Sequence, residues 1–123
     1  MPRYELAVRR GFAAAHCIRG HPGACARLHG HNYEVEVVVA GEELDGRGIL
    51  VDFAELKAGC DAVLQPLDHS LLGDLPPFAS ENPTSENIAR HVYQEVSRAL
   101  AGVRVDHVTV WETPTSSVTY RES

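Results

Sequence analysis

The chain has 123 residues, 44% hydrophobic and 23% charged, with three cysteines, seven histidines and a formal net charge of −6. That length fits one domain over residues 1–123 with a core that needs no disulfides, and the acidic balance argues against a nucleic-acid partner. No apolar run nears the ~20 residues of a membrane-crossing helix and "MPRYELAVRR" lacks a signal peptide's apolar segment, so a cytoplasmic protein with no membrane partner is expected.

Tyr4, Leu6, Val8, Phe12, Ala14 and His16 share parity, which predicts a first strand with one apolar face. The stretch "CIRGHPGACARL" follows as a loop broken by glycine and proline. A second strand is expected from about His31 to Ala40. Tyr33, Val35, Val37 and Val39 point one way along it, and Glu34 and Glu36 the other. "GEELDGRG" reads as a turn region. "DFAELKAGCDAVL" then reads as a helix capped by Asp52 and Glu55, with Phe53, Leu56, Cys60, Val63 and Leu64 as its apolar stripe. "LDHSLLGDLPPFASENP" reads as a surface loop. A second helix opens at Thr84 or Ser85 and closes at Gly102, burying Ile88, Val92, Val96, Ala99 and Leu100. "VRVDHVTVWET" and "SVTYRE" complete the chain as strands. The expected order is ββααββ: an α+β fold with a four-stranded antiparallel sheet and two helices on one face.

The histidines carry the first chemical signal. A strand has period two, so His29 and His31 point to one side with Cα atoms roughly 6–7 Å apart. Antiparallel pairing can bring the end of the first strand, His16, beside the start of the second. Three imidazoles plus one open position is the donor set of a catalytic zinc. A lone strand-end histidine is ordinarily solvated or satisfied by a hydrogen bond, so the weight rests on the three together. His21, His91 and His107 have no such company and read as surface or core residues.

The odd cysteine count suits no disulfide framework and fits a reducing compartment. Cys25 lies four residues before His29. It could close the metal site as a fourth ligand, or act as a nearby thiol base or nucleophile. Cys60 falls on a helical apolar stripe and reads as core. Cys17 lies on the opposite strand face from His16 and receives no role. Asp68 and His69 set a carboxylate beside an imidazole, an acid/base pair if they touch. Glu112, on an otherwise apolar strand, is either exposed at an edge or a buried acceptor for a ligand's N–H pair.

Taken in order, "FAAAH", "CARLHGHNYEVEV", "GILVDFAELK", "LDH", "NPTSENIA" and "VTVWET" resemble the 6-pyruvoyl-tetrahydropterin synthase family over nearly the whole chain. The short Cys-x-x-x-His-x-His gap is similar to the bacterial branch, the 6-carboxy-tetrahydropterin synthases of the queuosine pathway. The resemblance implies zinc on His16, His29 and His31, Cys25 as catalytic base, and Asp68 with His69 as an acid/base couple linked to the cysteine of another subunit. It implies that Glu112 anchors the pterin ring, with Thr84, Ser85 and Glu86 helping to hold it. It also implies the tunnelling fold: three sheets joined into a barrel, two trimers stacked as a homohexamer, and active sites between subunits. The implied substrate is 7,8-dihydroneopterin triphosphate. Its products are 6-carboxy-tetrahydropterin, acetaldehyde and triphosphate, with the pterin reduced as its side chain is oxidised, so no nicotinamide motif is needed. Arg9, Arg10, Arg19 and Arg27 are the candidates for the triphosphate. Two positions depart from the pattern: Cys17 stands where a basic residue is usual, and Gly73 where asparagine is common. The rival readings are a 6-pyruvoyl product, an aldolase-like side-chain cleavage, and a zinc module without turnover.

Overall fold

A computed structural model describes residues 2–122. Strands β1 (Tyr4–His16) and β2 (His29–Gly41) form a long antiparallel pair, helix α1 (Phe53–Leu64) follows, and a two-residue strand β3 (Ser70–Leu71) comes next. Helix α2 (Ser85–Ala99) and the hairpin β4 (Arg104–Thr113) and β5 (Ser116–Tyr120) complete the α+β chain. The sheet has five strands in the order β3-β1-β2-β4-β5, so the expected four-stranded sheet gains one. The addition is β3, paired parallel to β1 through Ala14↔Ser70 and Ala15↔Leu71. Two residues carry no periodicity, so the segment reads as loop in the sequence. Single turns of 3-10 helix at Leu72–Asp74 and Pro76–Phe78 follow it in the same segment. Strand β2 also starts at His29 rather than His31.

Period-two alternation decides which face is covered. Val8, Phe12, Tyr33, Val35, Val37, Val108 and Val110 are buried on one face, against Leu56, Cys60, Leu64, Ile88, Val92 and Val96 from the two helices. Fully burying such aliphatic side chains contributes roughly 1.5–3 kcal/mol each. Glu34 and Glu36 lie on the other face, where Arg9 meets both carboxylates. Two expected stripe residues fall outside the core. Phe53, the first residue of α1, is 52% exposed. Ala99 is exposed where α2 ends, with Leu100 closing the helix as C-cap ahead of Gly102.

Helix ends follow local chemistry. The Asp52 carboxylate accepts from the Ala54 N–H at 2.8 Å, and the Thr84 hydroxyl accepts from the Asn87 N–H at 3.1 Å. Each satisfies one donor that the helix leaves unpaired. The α2 cap fixes where Pro83, Thr84 and Ser85 sit, and that is where the sheet's histidines arrive.

Candidate metal centre and active site

The β1–β2 register runs unbroken from Tyr4↔Gly41 to His16↔His29. It sets His16 opposite His29, with His31 two residues on along the same face. Strand β4 pairs with β2 through Glu34↔Trp111 and Val35↔Val110, which carries Glu112 to the same end of the sheet. Between Trp111 and Thr113 the pairing with β5 slips by one, because Thr113 meets Ser116 directly after Trp111 meets Ser117. Glu112 is therefore the extra residue of a bulge, a device that re-aims a side chain at a strand end. As a result, His16, His29, His31 and Glu112 each present one donor atom, all within 4.8 Å of one another.

Hydrogen bonds fix how the rings face. His16 Nδ1 donates to the Pro83 carbonyl at 2.7 Å, and His29 Nδ1 to the Arg27 carbonyl at 2.7 Å. A carbonyl only accepts, so both rings carry a proton on Nδ1, and in the neutral form each leaves Nε2 as a bare lone pair. The two Nε2 atoms lie 3.0 Å apart. Two facing lone pairs repel unless a cation lies between them. The spacing is close to the edge of a tetrahedral zinc site, about 3.3 Å for ordinary Zn–N bonds. His31 Nε2 lies 3.0 Å from Glu112 Oε1, yet the two are not aligned as a hydrogen bond, which leaves that nitrogen buried without a partner. Burial is the main force lowering the His31 pKa; Glu112 opposes it and His16 and His29 reinforce it. A neutral imidazole with a free buried nitrogen is a metal ligand in waiting. The three histidines thus fit a divalent metal ion, with the Glu112 carboxylate beside them.

The surrounding residues support that geometry. Tyr33, buried below the rings, places its hydroxyl 3.1 Å from His16 Nδ1. Burial, then the Glu112 charge, pushes its phenol well above its ordinary pKa. The Ser85 hydroxyl, in the first turn of α2, donates to Glu112 Oε2 at 2.6 Å. Arg19 ties the adjoining segment down, donating to the carbonyls of Phe78 and Glu81 and to the Asn82 side chain. Asn82 returns a bond to the Arg19 carbonyl at 2.9 Å. Tyr33 read as a core residue from its parity. Only the fold brings Arg19, Asn82 and Pro83 to His16.

The other expected residues take varied places. Cys25 is exposed in a single 3-10 turn, Ala24–Ala26, just ahead of His29. Among the described residues it is not part of the convergent donor group, where Glu112 stands instead. Asp68 and His69 do touch, with Nδ1 to Oδ2 at 3.0 Å. His69 has φ +56°, and its side chain is 83% exposed. Its backbone N–H, bonded to the Ala13 carbonyl at 2.6 Å, holds it in that left-handed conformation. His31 and His69 border one shallow groove of about 450 Å³, with Ala13 and Gly30. Glu86 is exposed in the first turn of α2 and touches none of the cluster, while Thr84 is occupied as the helix cap. Of the candidate arginines, Arg10 is committed to Asp61 through two bonds, Arg9 to Glu34 and Glu36, and Arg19 to the loop. Among the described residues, no side-chain partner engages Arg27.

A family model described as 6-pyruvoyl tetrahydropterin synthase matches residues 5–123. The chain is 40% identical to the 6-carboxy-5,6,7,8-tetrahydropterin synthase of Bacillus subtilis (strain 168), over 96% of this chain and 85% of that one. It is 36% identical to the dihydroneopterin monophosphate aldolase of Pyrococcus furiosus, over 88% and 89% of the two chains. Among solved structures, the 6-pyruvoyl tetrahydropterin synthase of Caenorhabditis elegans superposes with a TM-score of 0.91 at 30% identity, covering 100% of this chain and 98% of that one. With the five-stranded sheet, the two helices on one face and the histidine cluster, these matches show a tunnelling fold, and the chain belongs to the 6-pyruvoyl tetrahydropterin synthase family.

Proposed function

We propose that the protein is a zinc-dependent 6-carboxy-5,6,7,8-tetrahydropterin synthase, a cytoplasmic lyase that takes 7,8-dihydroneopterin triphosphate into queuosine-type synthesis. The observation that carries the reading is the pair of facing Nε2 atoms on His16 and His29, joined by an orphaned buried His31 Nε2, beside the Glu112 carboxylate. The short Cys25–His29 spacing and the B. subtilis relative favour the carboxy product.

His16, His29 and His31 would hold the zinc, which when bound would supply Lewis-acid polarisation of the substrate's side-chain oxygens. Glu112, with one oxygen fixed by Ser85, offers the rest of its carboxylate to the pterin's 2-amino and N3 hydrogens. Thr84 and Ser85 form the floor beside it, and Glu86 is the weakest of these contacts. Cys25 removes the carbon-bound proton next to the ring. The ring gains the hydrogens that the side chain loses, so no external reductant enters. His69, oriented by Asp68, gives and takes protons as triphosphate departs and the side chain is cut. Its exposure suits delivery into the site of a neighbouring subunit of a homohexamer. Arg27 is the arginine left for the phosphate tail.

The test is product identification by mass spectrometry with zinc-loaded protein and 7,8-dihydroneopterin triphosphate. The expected products are 6-carboxy-tetrahydropterin and acetaldehyde. Accumulation of 6-pyruvoyl-tetrahydropterin, or aldolase-type cleavage as the P. furiosus relative's name describes, would replace the product assignment. Cys25→Ala is expected to keep zinc and lose turnover; loss of zinc and fold together would make Cys25 a structural ligand.

A further inference from the structure

Cys17 directly follows the metal-facing His16, and Cys25 sits at the far side of the loop that leaves β1. The loop folds back on itself. Gly20 takes φ +83°, a conformation that favours glycine, and the His21 N–H bonds the Ile18 carbonyl at 3.2 Å. The Ile18 N–H then donates to the Cys25 carbonyl at 2.7 Å. That bond constrains the two cysteines. Cys17 Cα lies on the same side of its peptide as the donating hydrogen, so standard peptide geometry puts it about 3.5 Å from the Cys25 oxygen. The two Cα atoms are then at most about 6 Å apart, inside the span that disulfides bridge. Both thiols are free and reachable: Cys25 is exposed and Cys17 partly exposed, whereas Cys60 is buried in the core.

We propose that Cys17 and Cys25 are a reversible redox-modification site, in which a hydroperoxide oxidises Cys25 and Cys17 resolves the product as a disulfide. In the first step the Cys25 sulfur attacks the peroxide. The O–O bond breaks, sulfur is oxidised to the sulfenic acid, and the peroxide is reduced, leaving one oxygen as water. In the second step the Cys17 sulfur attacks the sulfenic sulfur. The S–S bond forms, the S–O bond breaks, and the hydroxyl leaves as water with the thiol proton. Two thiols and one hydrogen peroxide thus give one disulfide and two waters. A dithiol reductant reverses the bond by exchange. Such a pair suits a reducing compartment, where disulfides are transient and act as sensors.

Bond formation does not depend on the enzymatic reading, whereas its effect on turnover rests on Cys25 being the base proposed above. The test treats the zinc-loaded full chain with hydrogen peroxide, blocks remaining thiols by alkylation, and maps peptides by mass spectrometry. Before alkylation, the expected result is an intact mass lower by about 2 Da. A linked Cys17–Cys25 peptide should appear, Cys60 should stay unoxidised, and turnover should be lost and then restored by dithiothreitol. Cys17→Ser is expected to keep basal turnover. Under peroxide it should carry Cys25 on to the sulfinic acid, with loss that dithiothreitol does not restore. Fully alkylatable Cys17 beside oxidised Cys25, a disulfide joining two chains through Cys25, or identical recovery of wild type and Cys17→Ser would overturn the pairing. A linked peptide in a protein without turnover would keep the pair and sink only the enzymatic reading.

Discussion

Both oxygens of Asp68 are committed. Oδ1 accepts the Ala13 N–H at 2.9 Å, and Oδ2 lies 3.0 Å from His69 Nδ1. The Ala13 bond first, then His69, holds this carboxyl below its ordinary range. A depressed carboxyl pKa means that the folded state releases its proton more readily than the unfolded chain. Its stabilising effect is therefore present above the unfolded pKa, about 4, and is lost as pH falls through the folded value. Asp68→Ala is expected to lower Tm at pH 7, with the gap to wild type narrowing as the pH falls below the ordinary carboxylate range. A gap that persists unchanged in acid would show that the side chain acts by packing rather than charge. Asp68 thus fixes the turn that presents His69, beyond any direct part in proton transfer. The sequence shows the Asp-His neighbours but not this tie to β1. The partner is a backbone N–H 55 residues away, and a main-chain donor leaves no mark in side-chain identity.

At the scale of elements, the histidine cluster depends on where the segment before α2 lies. His16 takes its orientation from the Pro83 carbonyl, and that carbonyl is held by the Arg19–Asn82 exchange and by Asn87, whose amide bonds the Asn82 carbonyl at 2.8 Å. Outer partners of metal-bound histidines commonly change affinity 10–100-fold when removed. Asn82→Ala is accordingly expected to weaken zinc binding by about tenfold, read by competition with a chromophoric chelator, with little change in far-UV circular dichroism. Unaltered zinc affinity would show that the Thr84 cap alone positions Pro83. The long elements behind this site are legible in the sequence because their patterns are strong: six same-parity residues run down β1, and His16 and His29 meet in the register those strands allow. The short pieces are not. Strand β3 has two residues, and the bulge that frees Glu112 depends on how β5 meets β4 rather than on anything within "VTVWET". Phe53 shows the converse, since helical spacing places it on the stripe while its position at the first turn leaves it outside the core.

For the whole molecule, the sheet's ends frame the remaining question. Among the described residues, β3 covers β1 only at Ala14 and Ala15, so the outer edge of β1 from Tyr4 onward has no strand beside it, and β5 ends the other side. Open edges invite pairing unless they are covered. Beside the bare stretch of β1 lies a groove of about 530 Å³ bordered by Tyr4, Leu6, Leu44, Leu50 and Phe53. Tyr4 and Phe53 are each about half exposed there. Apolar side chains next to an unpaired edge suit burial against another copy, as the proposed homohexamer requires. Light scattering at micromolar concentration is expected to give a mass above that of one chain. Phe53→Glu should shift it toward the monomer with little change in chain stability, because an exposed substitution costs little and an acid suits a helix's first turn. If His69 of one chain serves another chain's metal centre, specific activity must fall as Phe53→Glu or dilution dissociates the assembly, while zinc remains bound by the three histidines of each chain. A monomer with undiminished specific activity would place the acid/base couple and the metal within one chain, and the exposure of His69 would then need a closing motion of the Asp68–His69 turn instead of a neighbour.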